Sequence, residues 1–523
     1  MMGGGFAWPV RKYVTHSETI TVRRELAYFR VSALVIETMR IHLSSLRYIA
    51  NATQIIFTAY TAAMTGQPLT FSVWALYHTS RSTCYVYVRK TSGVHPMQFV
   101  ASDTGETSNL IGVVADDLTG ACDTAAQFRL AGARVAVLLD GEEDTPLSSE
   151  GWDVLVLSTE ARRALPTIAA QRTREAVRRL RAAGVERLYL KVDSILRGAP
   201  GGIIEAGAME FGVPYVLVAP AFPAQGRVVV GGWVRRDDIA VTDGMTRLAE
   251  TAIASIGHIP LRAIRSSMTA IAISPGLLAD SVALLLADSE RDEDLWTLAE
   301  YAASTDLPMV AGSAGFARSI APFWCMETQF EDEEDTAWAE RDGPVLVVVG
   351  TRSPATQAQL RYLTGAEYAE EVVVVAVAPE GVENALIAIR DGLDTVPIVV
   401  VHLDIAPDAP MTDDALSALA GVVVRAAMER GDDLCGLVST GGATTRAICD
   451  AAEATMLRVV DEVLPGVCCS VLEDGLLATV PIVSKSGSFG GEDALMIACV
   501  WLLSEPEYDD DDDEEQDATT ADE

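Results

Sequence analysis

A chain of 523 residues with 49% hydrophobic content is long enough for two or three domains, because one hydrophobic core rarely exceeds about 250–300 residues. The formal net charge of −35 argues against nucleic acid or an anionic membrane as a partner, since both would repel the chain. Four of the 39 basic residues are lysines. A salt-adapted cytoplasm and a GC-rich genome explain the rarity of lysine equally well, although the genome explains the acidic excess less well.

The eight cysteines form no C-x-x-C pair and show no Cys/His ligand spacing, so a zinc site or a disulfide framework has little support. No apolar run reaches the roughly 18 residues that a membrane helix needs. The N-terminus also lacks the basic-then-apolar order of a signal peptide. We therefore expect a soluble, cytoplasmic protein.

Residues 1–108 hold four of the six histidines, have weak periodicity, and cannot be assigned a fold. Met97 stands shortly before the first clear strand. One hypothesis is that translation starts at Met97 and that the residues before it are a wrongly included extension. Mass spectrometry of the native N-terminus would decide this, and a mature protein that begins near Met1 would contradict it.

From residue 109 on, short β-branched apolar runs alternate with stretches of helical period. This alternation is typical of parallel sheets covered by helices. The expected strands are 110–115, 154–157, 188–192, 215–219, 345–349, 372–377, 398–401, 434–439 and 481–484. The sequence thus predicts an α/β protein with two doubly wound domains, mainly parallel sheets, and an active site in the cleft between the domains.

An acidic run at 331–335, followed by Gly343-Pro344, is typical of an exposed linker. We therefore expect a first domain at 109–328, a linker at 329–342 and a second domain at 343–503. The C-terminal segment 504–523 carries twelve acidic residues and no basic ones, so it is predicted to be a disordered solvating tail, with a docking role as the alternative.

Ligands of open α/β sheets bind beyond the carboxyl ends of the strands, and four such ends in the first domain are charged. The charged candidates are Asp116, Asp117, Arg162, Lys191, Asp193, Arg197 and Arg227. The cations would form a floor for a small anionic substrate, because arginine matches a carboxylate in bidentate geometry. The aspartates could hold sugar hydroxyls, accept a proton or bind Mg²⁺. Alternatively, an aspartate after a strand caps the next helix, and for Asp117 both roles stay open.

Three glycine-rich turns follow strands of the second domain, at 350–356, 439–445 and 485–491. Glycine lets the backbone approach a ligand, and the N–H groups at a helix start attract phosphate. One such turn could simply reverse the chain, but three in one domain favour phosphate binding. The P-loop, the protein-kinase glycine loop and the dinucleotide fingerprint are missing. From Met97 onward the lysines are Lys191 and Lys485, both in these loops, where a point charge would meet an anion.

The two main domains contain His258 and His402, and neither lies in a loop of this kind. A Ser-His-Asp or Cys-His mechanism therefore has no support. Catalysis then falls to carboxylates. This suits phosphoryl transfer, in which positioning and charge neutralisation matter more than a strong base.

Six groups of motifs follow one another between residues 110 and 503. They are Ala115-Asp116-Asp117-Leu118-Thr119-Gly120-Ala121, Lys191-Val192-Asp193-Ser194 with Leu196-Arg197-Gly198, Pro220-Ala221-Phe222-Pro223 with Gly226-Arg227, Gly312-Ser313-Ala314-Gly315, Thr440-Gly441-Gly442, and Lys485-Ser486-Gly487 with Phe489-Gly490. In this order and spacing they resemble the four-carbon acid sugar kinase family.

The resemblance implies a sugar-acid-binding domain followed by a nucleotide-binding domain, and phosphorylation of the terminal hydroxyl of a threonate, erythronate or 3-oxo-tetronate type acid by ATP, with Mg²⁺ as cofactor. By motif, substrate contacts are implied for Asp116, Arg162, Lys191, Val192, Asp193 and Ser194, and ATP contacts for Ser353, Gly441, Gly442, Ala443, Thr444 and Gly487. Arg197 and Arg227 are added to the substrate candidates and Lys485 to the ATP candidates by their positions. The catalytic base is expected to be Asp117 or Asp193, and no metal ligand is assigned.

The family usually has an acidic residue after the paired glycines, where this chain has Ala443, which leaves open how the nucleotide or its metal is held there. One alternative is therefore a sugar-acid or nucleotide sensor of the same fold with weak turnover. An oxidoreductase would need bound NAD or flavin. Neither the stereochemistry nor the oxidation state of the acid can be read from the sequence. A homodimer is one expectation, since related α/β enzymes often pair.

Overall fold

The structure is a computed structural model that describes residues 71–77, 84–90, 110–139, 146–266, 282–325, 341–366, 368–378, 381–404 and 411–504. The chain divides into two units, Met1–Phe99 and Val100–Glu523. In the first unit, β1 (Phe71–Tyr77) pairs antiparallel with β2 (Cys84–Lys90). Met97, most of the predicted linker and the tail from residue 505 lie outside the described residues. The hypotheses about them stay predictions.

We call the part of the second unit up to residue 325 its first half, and the part from residue 341 its second half. The strands of the first half are β3 (Ile111–Ala115), β4 (Val135–Leu138), β5 (Val154–Ser158), β6 (Arg187–Lys191), β7 (Tyr215–Ala219), β8 (Arg227–Val230), β9 (Trp233–Arg236), β10 (Ile239–Asp243), β11 (Ser255–Ile259), β12 (Ala283–Ala287) and β13 (Met309–Gly312). Strands β8, β9 and β10 form a separate antiparallel sheet. The others run parallel in the order β11-β12-β7-β13-β6-β3-β5-β4.

The second half repeats this plan with one antiparallel insertion. Its strands are β14 (Val345–Val349), β15 (Val372–Val377), β16 (Ile398–Leu403), β17 (Gly436–Thr440), β18 (Met456–Leu464), β19 (Val467–Leu472) and β20 (Pro481–Lys485). They lie in the order β18-β19-β20-β17-β14-β16-β15, and β19 runs antiparallel to both of its neighbours. The nine strands expected from the sequence coincide with observed strands to within two residues at each end.

Helices cover the sheet throughout the described ranges. They are α1 (Leu118–Leu130), α2 (Pro166–Ala182), α3 (Pro200–Phe211), α4 (Gly244–Ala249), α5 (Leu261–Arg265), α6 (Asp292–Ser304), α7 (Ala314–Trp324), α8 (Pro354–Leu363), α9 (Val382–Leu393), α10 (Asp413–Arg430), α11 (Gly442–Ala451) and α12 (Ala494–Leu503). None of these helices is both long and apolar enough to cross a membrane. The prediction of a mainly parallel α/β fold is confirmed.

The two halves are joined edge to edge. Strand β4 pairs antiparallel with β18, with Leu138 opposite Met456 and Ala136 opposite Arg458. Within the described residues this pairing makes one sheet of 15 strands. The sequence predicts two doubly wound units but not their continuity, because β4 and β18 pair across more than 300 positions of the chain.

Helix α1 lies at this junction and is unusually buried. Asp117 caps its N-terminus by accepting a hydrogen bond from the Gly120 amide, and every residue from Leu118 to Phe128 is buried. A helix buried all round needs little amphipathicity, and small residues let it pack closely. It contacts strands β3, β4 and β5 of its own half, and strands β18, β19 and β20 and helix α11 of the other half.

The strand order reverses once in each half. Strand β3 lies between β5 and β6, and β14 lies between β16 and β17. Loops diverge at such points, so a crevice opens beyond the carboxyl ends of the strands. We call these the first and the second switch point. The first is built from the loops after β3 and β6, and the second from the loops after β14 and β17.

Candidate active site

A cleft opens where the two halves meet. The first half contributes the loops that follow β3, β5, β6, β7 and β13, and the second half contributes Gly466, Ser486 and Phe489. Six charged side chains line the cleft: Asp117, Asp123, Arg162, Lys191, Asp193 and Arg197. Three are acidic and three are basic, so the expected cationic floor is balanced by carboxylates.

Arg162 organises the first switch point. Its Nη2 lies 2.6 Å from Asp116 Oδ1 and its Nε lies 3.0 Å from Asp116 Oδ2, which is bidentate pairing. Its Nη1 donates a hydrogen bond to Asp117 and lies 3.8 Å from Asp193 Oδ2. Removing charges from water costs several kcal/mol per ion unless they are paired, so this arginine stabilises three carboxylates together.

The Asp193 carboxylate is hydrogen-bonded to residues of its own loop, which follows β6. Its carboxylate accepts hydrogen bonds from the amides of Ile195 and Arg197, each at 3.1 Å, and from Arg197 Nη2 at 2.6 Å. Burial would raise the pKa of Asp193. The hydrogen bond from Arg197 and the charge of Arg162 outweigh that effect and hold the pKa well below its usual range. Asp193 therefore stays ionised and shapes the loop.

Of the two roles that its sequence position left open, Asp117 is seen in the capping role, at the edge of the cleft. It caps α1 through the Gly120 amide at 2.9 Å, and it also lines the cleft beside Arg162. A Cβ atom at Gly120 would lie 2.5 Å from Asp117 Oδ1 and 2.9 Å from Lys191 Nζ. Glycine at position 120 is thus what lets the lysine approach the start of α1.

Two charged groups in the cleft form no ion pair with any described residue. Lys191 is 5% exposed, and no described carboxylate lies within 4 Å of its Nζ. Asp123 is 6% exposed, and its fully enclosed Oδ1 accepts no hydrogen bond from any described group. Burial raises the pKa of Asp123 to about 7, although the charge of Lys191 opposes the rise. Both groups are available to a ligand.

The remaining substrate candidates lie at different depths. Ser194 lines the cleft, whereas Val192 is buried and donates its amide to Gly312 O at 2.9 Å. Arg197 reaches furthest outward, with its side chain 55% exposed. Arg227 lies with its guanidinium carbon 4.9 Å from the ring centre of Phe489, in the range of a cation–π contact.

The glycine turns of the second half converge on one place. Ser353 caps α8 and donates its hydroxyl to Gly487 O, which also accepts from Thr356 Oγ1 at 2.9 Å. A Cβ atom at Gly487 would lie 3.0 Å from Thr351 Oγ1. The loops after β14 and β20 therefore contact each other through a position where only glycine fits without a shift.

The loop after β17 forms the start of α11. Gly441 has φ of +93°, stands at the N-cap of the helix and supplies no side-chain cap. Thr444 is buried and donates its amide to Gly441 O, while Ala443 is exposed at the helix start. The first N–H groups of a helix lack intrahelical partners, so this uncapped end can bind an anion.

The Lys485 side chain is buried and hydrogen-bonded to the loop that follows β20. It is completely buried, and its Nζ donates to Ser486 O at 2.9 Å and to Phe489 O at 3.1 Å. Gln359 Nε2 bonds the carbonyls of Phe489, Gly490 and Gly491 from the same helix that Ser353 caps. Lys485 and Gln359 together fix the carbonyls of the loop after β20, so the lysine positions this loop.

The halves also touch across the cleft. A Cβ atom at Gly442 would lie 3.3 Å from Thr119 Oγ1, so the start of α11 meets the start of α1. The Phe489 ring packs edge-on against Phe222 with centroids 6.1 Å apart. The two switch points therefore face each other.

Two contributors were missed in the sequence. Asp123 stands inside a helix among small residues, where no turn or glycine marks it. Gln359 bonds a loop that lies about 130 positions further along the chain. Phe489 stands in one of the motifs, but its contact with Phe222 was not expected. Thr119, Asp123 and Gln127 recur every four residues and so form a polar face on a buried helix. Only this pattern could have indicated a role for Asp123.

Two family models match consecutive parts of this chain. Residues 111–320 match the family model of a sugar-binding N-terminal domain, and residues 346–495 match that of a nucleotide-binding C-terminal domain.

Three characterised relatives align along most of their own length. The D-threonate kinase of Bordetella bronchiseptica is 32% identical over 412 residues, which cover 74% of this chain and 96% of the relative. The D-erythronate kinase of Heliobacterium modesticaldum is 27% identical, with 76% and 98% covered. The 3-oxo-tetronate kinase of Pseudomonas fluorescens is 26% identical, with 73% and 95% covered.

Two solved structures share the fold. A protein from Salmonella typhimurium LT2 superposes with a TM-score of 0.61 at 21% identity, covering 75% of this chain and 99% of that one. A Haemophilus influenzae protein gives 0.56 at 20% identity, with 75% and 100% covered.

Proposed function

Because the chain belongs to the four-carbon acid sugar kinase family, we propose that it transfers the γ-phosphate of ATP to the terminal hydroxyl of a threonate, erythronate or 3-oxo-tetronate type acid. The observation that carries the proposal is the contact of Gly442 with Thr119. A phosphate held at the start of α11 would lie beside an acceptor held at the start of α1. Such juxtaposition supplies the proximity that phosphoryl transfer requires.

The acceptor binds at the first switch point in this proposal. Its carboxylate pairs with Arg197, which is half-exposed, and with Lys191, which has no protein partner among the described carboxylates. The paired charges of Asp116, Asp117 and Arg162 present a fixed polar wall to the hydroxyls. Ser194 adds a hydroxyl at the cleft surface. Bidentate and point-charge contacts together orient a short acid.

ATP binds at the second switch point. The uncapped start of α11 at Gly441 and Gly442, with Ala443 and Thr444 behind it, suits a phosphate. Gly487 leaves room that a Cβ atom would fill, beside Ser353. These features fit the group, since a phosphate chain needs close backbone approach and free N–H groups. Lys485 holds the loop that presents the amides.

Mg²⁺ is proposed to arrive with ATP. The described residues contain no group of three or more His, Cys, Asp or Glu side chains placed to hold a metal. Mg²⁺ commonly uses one or two carboxylates together with substrate phosphates and water, so a preformed cage is not required. When bound, it would neutralise charge on the phosphates. We assign it no protein ligand, and the paired aspartates are held by arginines.

The test is a coupled ADP-release assay with Mg-ATP and a panel of D- and L-threonate, D- and L-erythronate and 3-oxo-tetronates, at low and at molar salt. Turnover with one acid is the expected result, and it names the substrate. Higher turnover at molar salt would support adaptation of the acidic surface to salt. Binding of ATP without turnover on any acid would contradict the proposal and favour the sensor alternative.

A further inference from the structure

The geometry points to Asp123, in place of Asp117 or Asp193, as the group that accepts the proton of the acceptor hydroxyl during phosphoryl transfer. This inference rests on the proposed kinase function. It concerns a residue to which neither the motif resemblance nor the strand-end positions assign a role. Three independent features of the cleft support it: the pairing of its charges, the burial of Asp123 and the face of α1 on which Asp123 lies.

The pairing of charges removes the two bases expected from the sequence. Asp193 accepts three hydrogen bonds, two of them from Arg197, and stays ionised. Asp117 caps α1, accepts from Thr119 Oγ1 at 3.2 Å and pairs with Arg162. Protein donors therefore already occupy both oxygens of each of these two carboxylates.

The burial of Asp123 has no structural explanation within the described residues. Burying a carboxylate is costly unless it is hydrogen-bonded or paired. Asp123 is 6% exposed, its Oδ1 accepts no hydrogen bond, and no described arginine or lysine lies within 4 Å of its carboxylate. Of the acidic side chains that line the cleft, it alone is unpaired by the described basic residues. A buried group kept at such cost is a candidate for chemistry.

The position of Asp123 places it between acceptor and donor. Residues four apart share one face of a helix, so Thr119, Asp123 and Gln127 lie in one row along α1. Thr119 meets Gly442 at the start of α11. Gln127 Nε2 donates to Glu462 Oε1 at 2.7 Å. Asp123 therefore lies on the face of α1 that meets the second half, and it also lines the cleft.

The electrostatic surroundings keep Asp123 near the point of proton exchange at neutral pH. Burial raises its pKa to about 7, the charge of Lys191 opposes this, and Glu462 and Asp117 add to it. Tyr189, Cys122 and Cys468 are the other titratable groups that interact with it, and burial raises the pKa of each. A base works best with a pKa near the operating pH.

Phosphoryl transfer breaks two bonds and forms two. The acceptor O–H bond breaks and its proton moves to a carboxylate oxygen of Asp123. The oxygen lone pair forms a bond to the γ-phosphorus of ATP, and the bond from that phosphorus to the bridging oxygen breaks, so that ADP leaves with the electron pair. The ammonium of Lys191 lies nearby to offset the negative charge. Asp123 then releases its proton to solvent through the cleft.

The experiment compares wild-type protein with Asp123→Asn on the acid found by the panel assay. General base catalysis contributes about 10²–10⁴-fold, so kcat of the variant should fall at least about 100-fold. The KM values for ATP and for the acid should stay within about threefold, since Asp123 acts in the transition state rather than in binding. In the wild type, kcat/KM for the acid should rise with pH and level off above a pKa of about 7, because Asp123 must be deprotonated, and the variant should lose this dependence.

Asp294→Asn is the matched control, since Asp294 is equally buried but pairs with Arg265 away from the cleft. It should cost stability yet keep kcat and the pH dependence. If Asp123→Asn does not fold, Asp123→Ser serves as the smaller neutral variant. Calorimetric titration of ATP confirms that either variant is folded. A variant with more than about a tenth of wild-type kcat and an unchanged pH profile would overturn the inference. Absence of turnover in the wild type would overturn the kinase proposal itself.

Discussion

The two switch points lie in one continuous sheet but are built by opposite means. The first is built from charged side chains that hold one another, with Arg162 between Asp116, Asp117 and Asp193. The second is built from backbone, with Gly441 at a φ of +93° that favours glycine and Gly487 where a Cβ atom would crowd Thr351. A short acid with several hydroxyls needs directional side chains, whereas phosphates are held well by N–H groups and a helix dipole. The difference supports the proposal that the acid binds at the first switch point and ATP at the second.

If the ion pairs of Arg162 hold the first switch point together, breaking them should have the largest effect on stability and turnover. Arg162→Ala leaves the buried Asp116 without its counter-charge, so the free energy of unfolding should fall by about 3 kcal/mol and turnover should be lost. Urea unfolding and the ADP-release assay measure both. Arg390→Ala, which breaks an exposed pair with Glu429, is the control and should change neither. Equal losses of stability and turnover in the two variants would contradict the claim that the ion pairs of Arg162 hold the first switch point together.

Because the second switch point is built from backbone, replacing a glycine there should selectively weaken the binding of ATP. In Gly487→Ala the new Cβ would lie 3.0 Å from Thr351 Oγ1 and would push the loop away from α8. The KM for ATP should rise about tenfold, or about 1.4 kcal/mol, with the KM for the acid unchanged. The control is Gly421→Ala, whose Cβ meets nothing within 4 Å. A rise in the KM for the acid alone would reverse our assignment of the two sides.

The contact between the halves should have a moderate effect on both ligands. Phe489→Ala removes the edge-on packing with Phe222 and the contact with Arg227, together about 1–2 kcal/mol. We expect both KM values to rise severalfold, because the cleft is then held less firmly. Tyr362→Ala, which removes a ring contact with Tyr368 on the nucleotide half, should leave both unchanged. Steady-state kinetics on the two variants would separate these outcomes.

Lys485 should affect the pH dependence of stability and leave the choice of ligand unchanged. Burial lowers its pKa to about 8, below the unfolded value, so the unfolded chain binds this proton more tightly. Wild-type stability should rise from about pH 8 towards pH 10 by about 1 kcal/mol per pH unit relative to Lys485→Met. Urea unfolding of both proteins across this range provides the comparison. Parallel curves would mean that Lys485 has an ordinary pKa in the fold.

Much of the fold followed from local pattern. Buried parallel strands such as Tyr215–Ala219 and Val345–Val349 are short apolar runs with clear ends, so their limits were predicted. Strand β18 has alternating half-buried positions and two register shifts, and its pairing with β4 depends on residues more than 300 positions apart. No local pattern encodes such a junction, which is why one sheet was predicted as two.

The candidate site shows the same limit. The sequence placed Asp116, Arg162, Lys191 and Asp193 at neighbouring strand ends, and the structure brings them to one loop cluster. It could not show which charges neutralise each other, because pairing depends on distances of a few ångström between separate loops. Asp123 went unnoticed for the same reason. Its significance is the absence of a partner among the described residues, which appears only once the other charges have been matched.

The most direct test of the central claim is ³¹P NMR of the product formed from Mg-ATP and the acid that turns over. Phosphate on the terminal hydroxyl is coupled to two methylene protons, so the account predicts a phosphomonoester triplet that grows as ADP appears. A doublet would place the phosphate on a secondary hydroxyl and contradict the proposed orientation of the acid. Inorganic phosphate as the sole product would contradict transfer between the two switch points.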